Sequence, residues 1–160
     1  MSSNPLVTII TANYNKGIYL ERTLQSVTNQ LYKNIEHIII DDGSTDDSKN
    51  ILLKYKKESP NVQIVLNKKN QKCVAKLRNQ AVKASNGKYI LNLDSDDILY
   101  CDAISSLVKM AESKKLDLCY GSMIYINEQN VSIRRNEIKG SKYIPGKLIK
   151  GMYIPFPRMY

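Results

Sequence analysis

The sequence predicts an α/β protein built on a doubly wound, mostly parallel sheet with helices on both faces. Three observations predict it. Short β-branched apolar runs alternate with segments whose apolar residues recur every three or four positions. That strand-helix alternation implies right-handed crossovers, and hence parallel strands. Finally, acidic and amide residues collect where the first, second and fourth runs end, the edge at which such sheets bind ligands.

Val7-Thr8-Ile9-Ile10-Thr11-Ala12 reads as the first buried strand. After Gly17, the apolar residues Ile18, Leu20, Leu24, Val27 and Leu31 are read as a helix. Ile35 to Ile40 is the second strand and runs into Asp41-Asp42-Gly43-Ser44. Asp46 or Asp47 is placed to cap a helix carrying Ile51, Leu52 and Tyr55, which Pro60 closes. Val62 to Leu66 forms a short third strand, and the polar loop Asn67 to Lys72 leads to a helix through Val74, Leu77, Ala81 and Val82. Gly87 is expected to stop that helix. Tyr89 to Leu93 is the fourth strand, and Asp102 is the expected N-cap of a helix bearing Ile104, Leu107, Val108 and Ala111. Beyond Leu116 the pattern turns to strands at 117–120, 123–126 and 131–133, with a turn at Asn127 to Asn130. The stretch from Lys139 to Tyr160, with Pro145, Pro155 and Pro157, reads as loop with no closing element.

The 160 residues suffice for one domain with a substantial core, and 42 % hydrophobic with 24 % charged residues is an ordinary soluble composition. No apolar run reaches the ~20 residues that span a bilayer. The N-terminus lacks signal-peptide features, so a cytoplasmic address is expected. Cys73, Cys101 and Cys119 form no CxxC spacing and indicate neither disulfides nor zinc. His37, alone in an apolar run, reads as a packed strand residue. The net charge of +9 favours anionic partners, and lysines concentrate between residues 49 and 88, where solvated helix faces account for most of them.

Asp94-Ser95-Asp96-Asp97 is the segment richest in chemistry. Three carboxylates within four residues repel one another and raise each other's pKa unless a cation or several donors neutralise them. Hard divalent ions take oxygen ligands and share them with substrate phosphates. The cluster therefore points to a metal-bridged phosphate site, against the plainer reading of an acidic turn that caps the next helix.

Taken together, these segments resemble the family 2 glycosyltransferases, inverting nucleotide-sugar enzymes of the GT-A, Rossmann-like fold. The resemblance spans about residues 6 to 125. It is carried by Val7 to Asn15, Tyr19-Leu20, Ser26 to Gln30, Tyr32 to Glu36, Asp41 to Asp46, Ala75 with Arg78-Asn79, Gly87 to Ile90 and Leu93 to Asp97. It implies a tail at 1–5, a nucleotide-sugar-binding domain at 6–125, and at 126–160 the start of an acceptor-side region that the chain does not complete. Ala12, Asn13 and Tyr14 would line the nucleotide pocket, with Tyr14 near the base. Asp42, or its neighbour Asp41, would accept a hydrogen bond from the base, which a uracil supplies. Asp94 would face the ribose or donor sugar, with Ser95 beside it. Asp96 would be the ligand of the DxD motif for Mn²⁺ or Mg²⁺, with Asp94 and Asp97 as further candidates. Lys76 and Arg78 are candidate phosphate supports or, equally, exposed helix cations.

The sequence departs from the family in three places: Ala12 and Cys101 stand where Pro is common, and Cys73 lies where a Gly is common nearby. Among Asp102, Glu112, Asp117, Glu128 and Glu137, none sits in the acidic motif that supplies the family's general base, so an isolated chain that binds donor without transferring sugar is the alternative to an active enzyme. The implied partners are a UDP-sugar donor and a saccharide or lipid-linked acceptor, with peripheral association at the inner face of the membrane. Nucleic acid is not expected. A haloacid dehalogenase-type phosphatase fits Asp94 to Ile98 only superficially, and a basic binding module leaves the acidic clusters unexplained.

Overall fold

The computed structural model describes residues 4–127, 131–136 and 158–159. Strands β1 (Val7–Asn13), β2 (Ile35–Asp41), β3 (Val62–Leu66) and β4 (Tyr89–Asn92) alternate with helices α1 (Gly17–Thr28), α2 (Ser48–Glu58) and α3 (Val74–Ala84). Helix α4 (Ala103–Lys114) follows, then β5 (Cys119–Tyr120), β6 (Met123–Ile126), β7 (Ser132–Asn136) and β8 (Arg158–Met159). The main sheet has the order β3-β2-β1-β4-β8-β5, and β6 pairs with β7 in a separate antiparallel ribbon. The pairs β1–β2, β2–β3 and β1–β4 are parallel, with Val7 opposite both Ile35 and Tyr89.

The direction of travel decides which face each helix covers. From β1 to β3 the chain moves one way, and α1 and α2 pack on one face through Leu20, Leu24, Leu52 and Tyr55 against Ile39 and Val62. The step to β4 reverses direction across β1, so a right-handed crossover must use the other face. There Leu77 and Ala81 of α3 cover Ile10, Ile38 and Ile40. Helix α4 returns to the first face, where Ile104, Leu107, Val108 and Ala111 meet Val7, Ile9 and Leu91. Burial from both sides explains why Ile38-Ile39-Ile40 is continuously apolar. The reversal also opens a crevice at the carboxyl ends of β1 and β4.

Several local expectations change. Helix α1 stops at Thr28, leaving Leu31 65 % exposed beyond it, and Ile18 is 81 % exposed because it sits about 200° around the helix from buried Leu20. Val74 and Val82 are likewise exposed, since α3 packs through Leu77 and Ala81. Gly87 does not stop α3, which ends at an extended Ser85. Its role is close packing: a Cβ there would lie 2.5 Å from Thr8 Oγ1 and 2.6 Å from Thr8 N. Asp47 and Asp102 occupy N-cap positions without a side-chain capping bond, while Asp46 Oδ1 accepts from Ser48 N at 3.0 Å. Arg158–Met159, expected as loop, is a strand paired antiparallel with both β4 and β5. Its pairing is made by main chain with distant strands, so local propensity gives no sign of it. Glu128 to Asn130, and most of the proline-containing stretch, lie outside the described residues.

Candidate functional site

The loops after β1 and β2 are locked together by side chains, which fixes one wall of the crevice. Asn13 Nδ2 donates to Asp41 Oδ1 at 2.7 Å, and Ser44 donates both its hydroxyl (2.5 Å, to Oδ1) and its backbone N–H (3.0 Å, to Oδ2) to the same carboxylate. Ser44 Oγ in turn accepts from Asn15 N, and Asn15 Oδ1 accepts from Thr45 N. Asp46 Oδ2 accepts from Gly17 N at 2.7 Å at the start of α1. Burial pushes Asp46 up, but the bonds from Ser48 and Gly17 outweigh it and hold the carboxyl below its ordinary range. Asn13 is 1 % exposed, and its Oδ1 has no hydrogen-bond partner among the described residues.

Asp41 and Asp42 are both only 3 % exposed. Asp42 Oδ1 accepts from Asn67 Nδ2 at 2.9 Å and its Oδ2 from Gln71 N at 2.8 Å, so it anchors the β3–α3 loop. Gly43 makes that approach feasible: its φ is +75°, and a Cβ would come within 2.9 Å of the Lys69 carbonyl carbon. Each carboxylate thus spends bonds on the fold: Asp41 Oδ1 already accepts two, while Asp41 Oδ2 and both Asp42 oxygens accept one each and keep a second lone pair for a ligand. Ala12 is half-buried and Tyr14 is 44 % exposed at the same edge.

Across the crevice, the acidic loop after β4 is held by polar side chains of α1 and of the turn that follows it. Thr23 donates to the Ser95 carbonyl at 3.0 Å, Ser26 Oγ accepts from Leu99 N at 3.1 Å, and Gln30 bridges the Tyr100 carbonyl and Ile104 N. Thr23 and Gln30 are fully buried. Ser95, itself 5 % exposed, therefore contributes its backbone to this framework. Sequence reading assigns no role to these three residues. The i, i+3 spacing of Thr23 and Ser26 beside apolar Leu20, Leu24 and Val27 is the available signal for a buried polar pair on α1, while Gln30, past the end of the helix, carries none.

The carboxylates face different neighbours. Asp94 Oδ1 is 2.5 Å from Arg78 Nη2, and Asp96 Oδ2 is 2.7 Å from Lys16 Nζ. Lys16, which sequence reading misses, is raised in pKa by its bond to Asp96 and by that residue's charge. Asp97 is exposed at the end of the cluster, yet the protein atoms crowding its carboxyl, ahead of the Asp94 and Asp96 charges, push it up to about 6. Lys76 is exposed on α3, about 200° around the helix from Arg78, so the two do not share a face. Among the described residues no three His, Cys, Asp or Glu side chains form a ready metal cage. The oxygen donors of Asp94, Asp96 and Asp97 still fit an ion of the Mg²⁺ or Mn²⁺ kind, which binds one or two carboxylates and completes its shell with water and phosphate.

Beside Asp96 and Asp97 lies a cleft of about 540 Å³, walled by apolar residues including Leu99, Leu107, Met110 and Tyr120, with Asp102 at its edge. Glu112 is instead bonded to Lys88 Nζ and Tyr89 Oη. His37 is a packed residue: 2 % exposed, it bonds Thr11 Oγ1 and Tyr55 Oη. All three cysteines are free.

The protein-family model described as "Glycosyl transferase family 2" matches residues 8–157. The UDP-Glc:alpha-D-GlcNAc-diphosphoundecaprenol beta-1,3-glucosyltransferase WfaP of Escherichia coli is 41 % identical over 127 residues, 79 % of this chain and 49 % of that protein. The glycosyltransferase GlyG of Streptococcus pneumoniae is 32 % identical over 125 residues, 78 % of this chain and 41 % of its own length. The chain thus spans less than half the length of these relatives. Among solved structures, S. aureus TarS 1-349 in complex with UDP superposes with a TM-score of 0.72 at 26 % identity, covering 79 % of this chain and 38 % of that one.

Proposed function

This chain belongs to glycosyl transferase family 2, and on that premise we propose that it binds a nucleoside-diphosphate sugar, in the first place a UDP-sugar, for transfer with inversion to a saccharide or lipid-linked acceptor. The observation that carries the reading is the meeting of the Asp94–Asp97 loop with the Asn13–Asp41–Ser44 lock at the point where strand order reverses. Brought together there, the two walls offer groups of the right chemistry for both ends of such a donor. Asn13 Oδ1 and the remaining lone pairs of Asp41 and Asp42 suit the N–H of a uracil, with Tyr14 beside the base. Arg78 suits the diphosphate, since a guanidinium matches phosphate geometry. Lys76 has no part in this reading.

Asp96, with Asp94 or Asp97, would hold Mn²⁺ or Mg²⁺. When bound, the ion supplies Lewis-acid stabilisation for the charge that develops on the departing diphosphate. The side chains of Thr23, Ser26 and Gln30 keep the loop that carries the carboxylates in place for it. Acceptor activation requires a general base, typically worth about 10²–10⁴-fold, and no described residue is assigned to it. The relatives include one named for a diphosphoundecaprenol acceptor, and the +9 charge suits a protein working at the anionic inner face of a membrane. No helix among the described residues is long and apolar enough to cross one.

Titration calorimetry of the protein with UDP in the presence and absence of Mn²⁺ tests the reading. Metal-dependent binding, lost in Asp96→Ala, is expected. No UDP binding with Mn²⁺ present would overturn it.

A further inference from the structure

We propose that Lys16 is a phosphate ligand held in reserve by Asp96, and that it couples metal binding to donor binding; the inference rests on the donor-site reading above. In the structure Lys16 Nζ is 2.7 Å from Asp96 Oδ2, and the two side chains are 43 % and 38 % exposed. The pair stands at the mouth of the crevice, where both groups have room to move. The other cation at the site differs. Arg78 is 25 % exposed and bonded to Asp94, and its planar fork makes it the more fixed partner. Lys16 carries a compact charge on a flexible stem.

The backbone of Lys16 does not share that freedom. Its carbonyl accepts from Tyr19 N and Leu20 N, both at 2.9 Å, as the N-cap of α1. The ammonium therefore swings about a fixed point, with the Tyr19 ring centroid 5.8 Å from Nζ. The Gly17 N–H at the start of that helix is already taken by the Asp46 carboxylate at 2.7 Å, so at this point the ammonium, not the helix end, is the group available to an incoming anion.

A dication and an ammonium on one carboxylate repel each other. A divalent ion arriving alone must therefore displace Lys16 from Asp96 into water, which opposes binding. An ion arriving with a diphosphate offers the displaced ammonium a new anionic partner. Lys16 thus weakens metal binding by itself and strengthens binding of metal and nucleotide together. By linkage, the metal and the nucleotide then raise each other's affinity. A static surface ion pair would contribute little to either.

The test compares the protein with Lys16→Gln and Lys16→Arg, using electron paramagnetic resonance to count free Mn²⁺ and calorimetry to follow UDP. In Lys16→Gln, Mn²⁺ alone should bind about two- to fivefold tighter, the worth of an exposed ion pair. UDP with Mn²⁺ should bind roughly tenfold weaker, the loss of one hydrogen bond from a charged donor. Lys16→Arg should retain the parent pattern for both. Unchanged or weaker Mn²⁺ binding in Lys16→Gln overturns the proposal, and so does unchanged UDP affinity. If the parent protein itself binds neither Mn²⁺ nor UDP, the donor-site reading falls and takes this inference with it.

Discussion

Thr23 donates its hydroxyl to the carbonyl of Ser95 at 3.0 Å, tying the helix that follows the first strand to the residue between Asp94 and Asp96. The pair is buried and 72 positions apart in sequence. Replacing the hydroxyl by a methyl group preserves shape but leaves a buried carbonyl unpaired, which costs about 1–3 kcal/mol. Thr23→Val should lower the unfolding free energy by that amount in urea denaturation. It should also weaken Mn²⁺-dependent UDP binding, because the carboxylates on either side of Ser95 lose their anchor.

Arg78 and Lys76 offer a contrast within one helix. Arg78→Met removes the partner of Asp94, whereas Lys76→Met alters an exposed position on a different face of α3. Calorimetry with UDP and Mn²⁺ should show roughly tenfold weaker binding for the first, the cost of a lost charge-assisted bond. The second should stay within twofold of the parent, about the size of an ordinary surface effect. Equal losses in both would remove the distinction drawn between them.

His37 gives the protein a pH-dependent stability. Burial lowers its pKa from 6.5 to about 3, so the native state keeps the ring neutral while the unfolded chain takes up a proton below 6.5. Its contribution is therefore fully present above 6.5 and is lost progressively as pH falls toward 3. The slope attributable to this one group is at most about 1.4 kcal/mol per pH unit. Urea unfolding of the protein and of His37→Phe at several pH values across that window should show the excess slope in the parent alone.

Gly43 is the residue on which the β2–α2 turn depends most directly. Its φ is +75°, and Lys69 and Asn70 backbone atoms lie within 3.0 Å of the point a Cβ would occupy, so an added methyl group is strained and crowded at once. Gly43→Ala should destabilise the protein by about 1–3 kcal/mol. A thermal melt indistinguishable from the parent's would contradict this account of the turn.

Much of the fold is legible in the order of residues. The apolar runs at Val7, Ile35, Val62 and Tyr89 mark the four parallel strands; the central ones are mostly apolar because both their faces are buried, while the edge strand β3 carries exposed Gln63 and Leu66. Edges are less legible. Ile18 and Leu31 are apolar yet exposed, Gly87 packs against Thr8 instead of ending a helix, and Arg158–Met159 enters the sheet by pairing with strands far away in sequence. Side-chain identity carries little information about contacts of that kind.

Local pattern and order along the chain were enough to establish the class of sheet, the edge at which polar residues gather and the family resemblance. What those polar residues do depends on packing between distant segments. Folding turns Asp41, Asp42 and Asp46 into buttresses of neighbouring loops, gives Thr23, Ser26 and Gln30 the task of holding the acidic loop, and sets Lys16 against Asp96. A carboxylate looks the same in a sequence whether it will anchor a loop or meet a ligand. The difference lies in which donors the fold brings within about 3 Å of it.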